Sequence, residues 1–419
     1  MGMKAIIIGG GIGGLSTALS FKQAGIEARV FESVKDPSAV GAGINLQPNA
    51  VRELFEMGLG DALTATGVAT HQWSVFNKHG QLIWSEPRGI DAGYKWPQIS
   101  IHRGHLLLLM LRATREAIGD SNVLTGHHLA SFEQDARGVT AHFVDRATGK
   151  PLHSERADLL IGADGIHSAV RAHYYPNEGP IHYSGEMQWR ASVEVDQFLD
   201  GRTQVIVGHR NQRLVGYSMS EEARRRGRVL VNWICEIRMP DTSRPDWDRK
   251  VGKERFAAAF ASWKFPWLDV PALIDATPAI FEFPKCDRNP VDRWTFGRVT
   301  LLGDAAHPML PTGSQAGSQA VVDARVLAQA LLKESTIEAA LKSYEDQRLK
   351  PMAEITLKNR ELGPELAMQI VEDRAPNGFS KVEDVITREE MAEITENYKR
   401  AAGFDSASVN TRPSYLRAA

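Results

Sequence analysis

Apolar runs broken by glycine alternate with amphipathic stretches in the first third of the chain, and again near residue 300. Residues 4–8 (KAIII) are continuously hydrophobic, as in a central parallel strand. Gly9 to Gly14 end that run, residues 15–23 continue at helical spacing, Gly25 supplies a C-cap, and residues 26–31 form a second strand closing on Glu32. A glycine pair, Gly41 and Gly43, precedes a helix predicted over 48–57. Residues 73–101 hold Trp73, Trp84, Tyr94 and Trp96 with strand-like alternation, a sheet excursion that returns at Arg103 to a helix over 104–117. Residues 123–157 read as strand, connection, strand and hairpin. Residues 157–165 are another apolar strand ended by glycines and Asp164, with His167, Ser168 and Arg171 on a short helix.

Between 181 and 284 the pattern changes. Runs at 187–195, 204–207, 214–219 and 229–237 are rich in Trp, Tyr and Val and predict a mostly antiparallel sheet, interrupted by a helix over 254–263. Residues 299–302 form a buried strand broken by Gly303-Asp304. Pro308 and Pro311 hold the next residues extended, and Gly313 is expected to open a small-residue helix. Residues 337–370 are helical, and the chain beyond Asp373 reads as peripheral helix and frayed end. The class is therefore α/β: a Rossmann-type nucleotide domain with an inserted, mostly antiparallel β-sheet domain and C-terminal helices. The expected division gives 1–72, 102–178 and 285–335 to the first, 73–101 and 179–284 to the second, and 336–419 to the C-terminal segment.

Composition narrows the class. With 43% hydrophobic residues, 24% charged and a net charge of -2, the 419-residue chain has a globular balance and no basic tract for nucleic acid. The Arg224–Arg226 cluster lies between strands and reads as a solvated turn. Two cysteines exclude a disulfide scaffold. The apolar start is too short for a signal or a membrane span, and Ile6 stands where a myristoylation signal needs Ser or Thr, so a cytoplasmic protein is expected. His102 and His105 lack a companion ligand cluster, and no metal is expected.

Three stretches that end on a carboxylate carry chemistry. Gly9, Gly11 and Gly14 form G-x-G-x-x-G between strand and helix, and Glu32 lies 23 residues after Gly9. In that setting Gly9 makes the turn, Gly11 admits a pyrophosphate, Gly14 lets helix and strand close, and Glu32 takes a ribose. Asp164 and Asp304 are two more carboxylates delivered at the carboxyl ends of strands, where ligands of open α/β sheets bind. Arg103, at a helix start, is placed to reach a phosphate or a flavin edge, with a surface salt bridge as the plain alternative. Tyr217 and Trp233 are candidates for an aromatic pocket wall, although core packing is the better explanation of either one alone.

The ordered set of Gly9–Gly14 with Glu32, Ala163-Asp164-Gly165 and Gly303-Asp304-Ala305-Ala306-His307-Pro308 resembles the fingerprint of single-component FAD-dependent aromatic hydroxylases, the para-hydroxybenzoate and salicylate hydroxylase group, over about residues 4–360. Residues 84–89, 100–104 and 162–171 are most similar to N-methylphenazine-carboxylate hydroxylases. The resemblance implies FAD held by Gly9, Gly11, Ile12, Gly13, Gly14, Glu32, Ser33, Gly43, Ile44, Arg103, Leu129, Asp164, Asp304, Gly313, Gln315 and Ala316, with Pro311 on the oxygen-reacting side. It implies NADH or NADPH as a visiting reductant, since no second G-x-G-x-x-G is present. It further implies O2 activated as a flavin C4a-hydroperoxide, and a small aromatic or heteroaromatic acid hydroxylated with or without loss of carbon dioxide. Gln315-Ala316 departs from the glycine or asparagine of many relatives, which leaves the flavin contacts there open. His307 has no assigned role, and no general base is named. Two other readings share the cofactor motifs: an FAD-dependent oxidase, epoxidase or cyclase on a non-aromatic substrate, and a flavoprotein-fold binding protein without redox activity.

Overall fold

The computed structural model describes residues 2–39, 41–239 and 249–416. Its first layer is a six-stranded sheet in the order Thr295–Phe296, Val299–Leu301, Leu159–Gly162, Lys4–Ile8, Glu27–Glu32, Val123–Thr125, parallel except at its Thr295–Phe296 edge. The continuous Ile and Leu runs seen in the sequence are buried here because helices cover the sheet. Helix Ile12–Gln23 packs on helix Ala316–Lys333. Every parallel strand points its carboxyl end toward one seam, which places Gly9, Glu32, Asp164 and Asp304 along a single edge.

The second layer is an eight-stranded sheet in the order Arg249–Val251, Ile280–Asp287, His182–Val195, Val229–Arg238, Gln212–Ser218, Thr203–His209, Gln72–Phe76, Leu82–Pro87. All pairings are antiparallel except that of Thr203–His209 with Gln72–Phe76. Strand Ile280–Asp287 runs across position 284/285, so Lys285 stands in this sheet. The helix expected over 254–263 is two short 3-10 turns, Lys253–Arg255 and Ala257–Phe260. Phe256 leaves helical geometry between them, at φ -144°, and its ring stacks on Trp189 at 4.8 Å. Burial of that ring outweighs the local helix preference of the alanines.

A three-stranded sheet, Gly43–Leu46, Gln98–His102 and Val68–Thr70, joins the two layers. Residues 98–101 therefore pair with the strand that follows the second glycine pair, not with the aromatic sheet. The long C-terminal helix runs Ile337–Arg360 and stops at Leu362, which is left-handed at φ 73°. Helix Leu366–Arg374 follows, so the expected single helix to 370 is two. The tail is also more ordered than its polar pattern suggests. Helix Arg388–Ala401 starts with a capping box of Thr387 and Glu390, and Tyr398, Phe404 and Val409 are buried. No helix among the described residues is long and apolar enough to cross a membrane, and no group of His, Cys, Asp or Glu among them could hold a metal.

Candidate active site

One cavity of about 560 Å³ runs from the glycine loop, past Arg103 and Asp304, to the inner face of the eight-stranded sheet. Its nucleotide end is built by close approach. A Cβ on Gly14 would lie 2.0 Å from the Gly9 carbonyl oxygen, and one on Gly9, itself at φ +102°, would lie 2.4 Å from that of Ala163. A Cβ on Gly11, by contrast, would meet nothing within 4 Å, so the backbone there is bare toward the cavity. Glu32 secures the loop: its carboxylate accepts from Gly10 N at 2.7 Å and Val34 N at 2.7 Å, and from the Ser33 hydroxyl at 3.2 Å. Ile12, Gly13, Glu32, Ser33 and Leu129 also line the cavity.

The two remaining carboxylates differ in kind. Asp164 accepts from Ser168 Oγ at 2.5 Å and Ala169 N at 2.7 Å, so it caps helix Ala169–Tyr174. Burial raises its pKa against those bonds. Asp304 has no hydrogen-bond partner among the described residues. Its side chain is exposed to the cavity, and the protein packed around it raises its pKa against the charges of His307 and Arg103. His307 is structural: buried, it shares Asp323 (Nε2 to Oδ2, 2.6 Å) with Arg348, whose Nε donates to Oδ1 at 2.7 Å. Arg171 ties two motifs together by donating to the carbonyls of Ala305 and Ala306 at 3.1 and 2.8 Å.

The loop after the second proline corrects the expected helix start. Helix Ala316–Lys333 begins at Ala316, after a 3-10 turn over Thr312–Ser314. Gly313 (φ 70°) faces away from the cavity, because the turn carries it against the Tyr398 ring; a Cβ there would lie 2.2 Å from that hydroxyl. Gln315 is fully buried, its Oε1 accepting from Gln319 Nε2 at 2.8 Å, and it does not line the cavity. Pro311 and Ala316 do line it, joined by Thr312, Gly317 and the left-handed Ser314 (φ 55°).

On the facing sheet, strand register explains which side chains point inward. Asn232, Tyr217 and Gln204 form one row. Arg190, Ile234, Val215 and Ile206 form the next, and Gln188, Glu236 and Arg213 a third. Trp233 pairs with Gly216 and Ala191, one residue out of phase. It therefore faces the opposite side, in the core beside Trp189 and Val231, with its Nε1 donating to Thr277 Oγ1 at 2.9 Å. Trp233 does not line the cavity; Tyr217 does. Gly43, which also lines the cavity, links the two sheets. Its N–H donates to Asn232 Oδ1 at 2.7 Å, and a Cβ there would lie 2.6 Å from the Tyr217 ring. The inward charged residues Arg190, Arg213, Glu236, Lys285 and Glu365 went unassigned in the sequence. For the four on strands the one signal was a polar residue inside an otherwise apolar run; Glu365, on the 3-10 turn Gly363–Glu365, gave none.

A dinucleotide cradle that opens directly onto a second, aromatic-lined chamber, with a lone carboxylate and Arg103 between them, fits a flavin nucleotide: Gly9 and Gly14 leave no room for a side chain, Gly11 bares its backbone to the cavity, and Asp304 lacks a protein donor. The site and fold together define an FAD-dependent monooxygenase. A family model for the FAD binding domain matches residues 2–359, and the chain belongs to that family. It is 40% identical over 401 residues to phenazine 1,6-dicarboxylic acid hydroxylase PhzS of Lysobacter antibioticus, with 94% of this chain and 96% of that one covered. It is 33% identical over 353 residues to aurachin C monooxygenase/isomerase of Stigmatella aurantiaca, covering 83% and 85%. Among solved structures, Klebsiella pneumoniae HpxO complexed with FAD and uric acid superposes with a TM-score of 0.74 at 27% identity, over 98% of both chains. The aromatic-hydroxylase reading and FAD as cofactor hold.

Proposed function

We propose that this chain hydroxylates a fused heteroaromatic carboxylic acid, using NAD(P)H and O2, in the cytoplasm where the reductant is made. The observation that carries the substrate class is the 40% identity to a hydroxylase of a phenazine dicarboxylic acid, taken with a chamber whose middle row is apolar beyond Arg190 and whose flanks are polar. Bound FAD supplies electron transfer from the nicotinamide and activation of dioxygen. The chain's own residues do the rest. Gly9 to Gly14 and Ser33 hold the ADP half beside Glu32, and Asp304 takes hydroxyl donors of the ribityl region. Arg103 supplies positive charge near the phosphates. Ile44, Pro311 and Ala316 enclose the ring region, and the N-terminus of helix Ala316–Lys333 offers bare N–H groups and a positive dipole end to developing negative charge there. The apolar row of Ile234, Val215 and Ile206 keeps water from the reacting chamber.

The test is NAD(P)H oxidation by the FAD-loaded protein with phenazine carboxylates, benzoates and phenols, scoring hydroxylated product against peroxide. Phenazine carboxylates are expected to accelerate flavin reduction at least about tenfold with coupled product. Stimulation by benzoates or phenols alone would overturn the fused-ring assignment.

A further inference from the structure

Among the described residues, the inner face of the eight-stranded sheet holds three cations, Arg190, Arg213 and Lys285, and one of them lacks a counter-ion. Arg213 donates to Glu236, to Glu365 at 2.8 Å and to Glu186 at 3.2 Å, and Lys285 to Glu186 at 2.6 Å and Glu236 at 3.4 Å. Three carboxylates thus surround two cations, and that corner carries no spare positive charge. Arg190 makes no ion pair or hydrogen bond with any described residue. Its Nε is buried without a partner, and its nearest ring is Phe283, 5.8 Å away. Tyr217, on the neighbouring row, has a hydroxyl with no partner among the described residues either.

A part-buried guanidinium whose Nε is shut off from water without an acceptor is costly, and such a group persists where a ligand completes it. Burial lowers the Arg190 pKa and Arg103 adds to that, with Tyr217 and Glu236 opposing; an arginine stays charged even so. Arg190 stands at the end of the row that continues as Ile234, Val215 and Ile206. Four strands span three spacings, about 14 Å, which is room for a fused ring system laid along the strip.

Resting on the heteroaromatic-acid reading above, we propose that Arg190 is the carboxylate anchor of the substrate chamber. It grips the ring carboxylate with two parallel N–H bonds while Tyr217 donates a third, and the rings lie along Ile234, Val215 and Ile206. A planar fork suits a carboxylate better than a point charge does. The neutralised Arg213–Lys285 corner takes no part in holding it.

The test measures binding of phenazine-1-carboxylate and of phenazine-1-carboxamide to the FAD-loaded protein, through the change each causes in flavin absorbance. Wild type is expected to favour the acid. Arg190→Gln is expected to lose about 10- to 100-fold for the acid, the scale of charge-assisted bonds. It should bind the amide within about twofold and keep its FAD. Arg190→Lys should recover part of the loss. Equal loss of acid and amide, no loss of either, or release of FAD by Arg190→Gln would each overturn the anchor while leaving the substrate class standing. Failure of wild type to bind either phenazine would instead remove the substrate class, and the anchor with it.

Discussion

Asp304 and Glu32 were alike on paper, each an acid following an apolar run, and the structure separates them by what they already hold. Glu32 accepts from Gly10 and Val34, so it braces the nucleotide loop as well as facing the cavity. Asp304 has no such duty. Asp304→Ala is expected to weaken FAD retention by about 1.5–3 kcal/mol while leaving the thermal midpoint of the FAD-free protein unchanged or slightly raised; a lowered midpoint would show that the side chain has an internal partner. The glycine loop, Glu32 and Asp304 could be read from order and spacing because each follows a strand directly. The chamber wall could not. Tyr217 and Trp233 look equivalent in the sequence, and only the pairing of Gly216 with Trp233 shows that they face opposite ways. Arg190 gave even less, since an arginine inside an apolar strand acquires meaning only when the nearby acid, Glu236, is known to be taken up by Arg213 and Lys285.

Among the elements, local pattern predicted the parallel strands and their helices well, because buried runs and helical spacing act over a few residues. It failed where distant packing decides. The 254–263 segment gives up its helix to bury Phe256, and the tail, polar as it reads, brings Tyr398 under the flavin loop. The Tyr398 hydroxyl donates to Asn359 Oδ1 at 2.8 Å and to the Thr312 carbonyl at 3.3 Å, so the C-terminal helix supports the turn from behind. Gly313→Ala would drive a methyl into that hydroxyl at a left-handed φ. It is expected to cost about 1–3 kcal/mol of stability, read from the denaturant midpoint; an unchanged midpoint would mean the turn and Tyr398 are not in contact.

Across the whole molecule, buried ion pairs tie the elements of the flavin seam. Burial opposes ionisation of Asp323, but His307 and Arg348 overcome it and hold its pKa below the ordinary aspartate value. A depressed folded-state pKa stabilises fully above the unfolded value of about 3.9 and is lost as pH falls toward the folded one. The wild-type midpoint should therefore drop below about pH 4 more steeply than that of Asp323→Asn, which starts lower because His307 and Arg348 lose the charged acceptor they share. Parallel acid profiles for the two would exclude Asp323 from this role.

The order in which strands pair has a consequence for how the chain is made. Leu159–Gly162 waits for Val299–Leu301, and Gln72–Phe76 waits for Thr203–His209, so neither sheet is complete from contiguous chain. At ribosomal rates of roughly 5–20 residues per second, open strand edges persist for on the order of ten seconds during synthesis. FAD capture is thus a late event, following closure of both sheets, and the nascent chain must be kept from aggregating until the strand at 299 arrives.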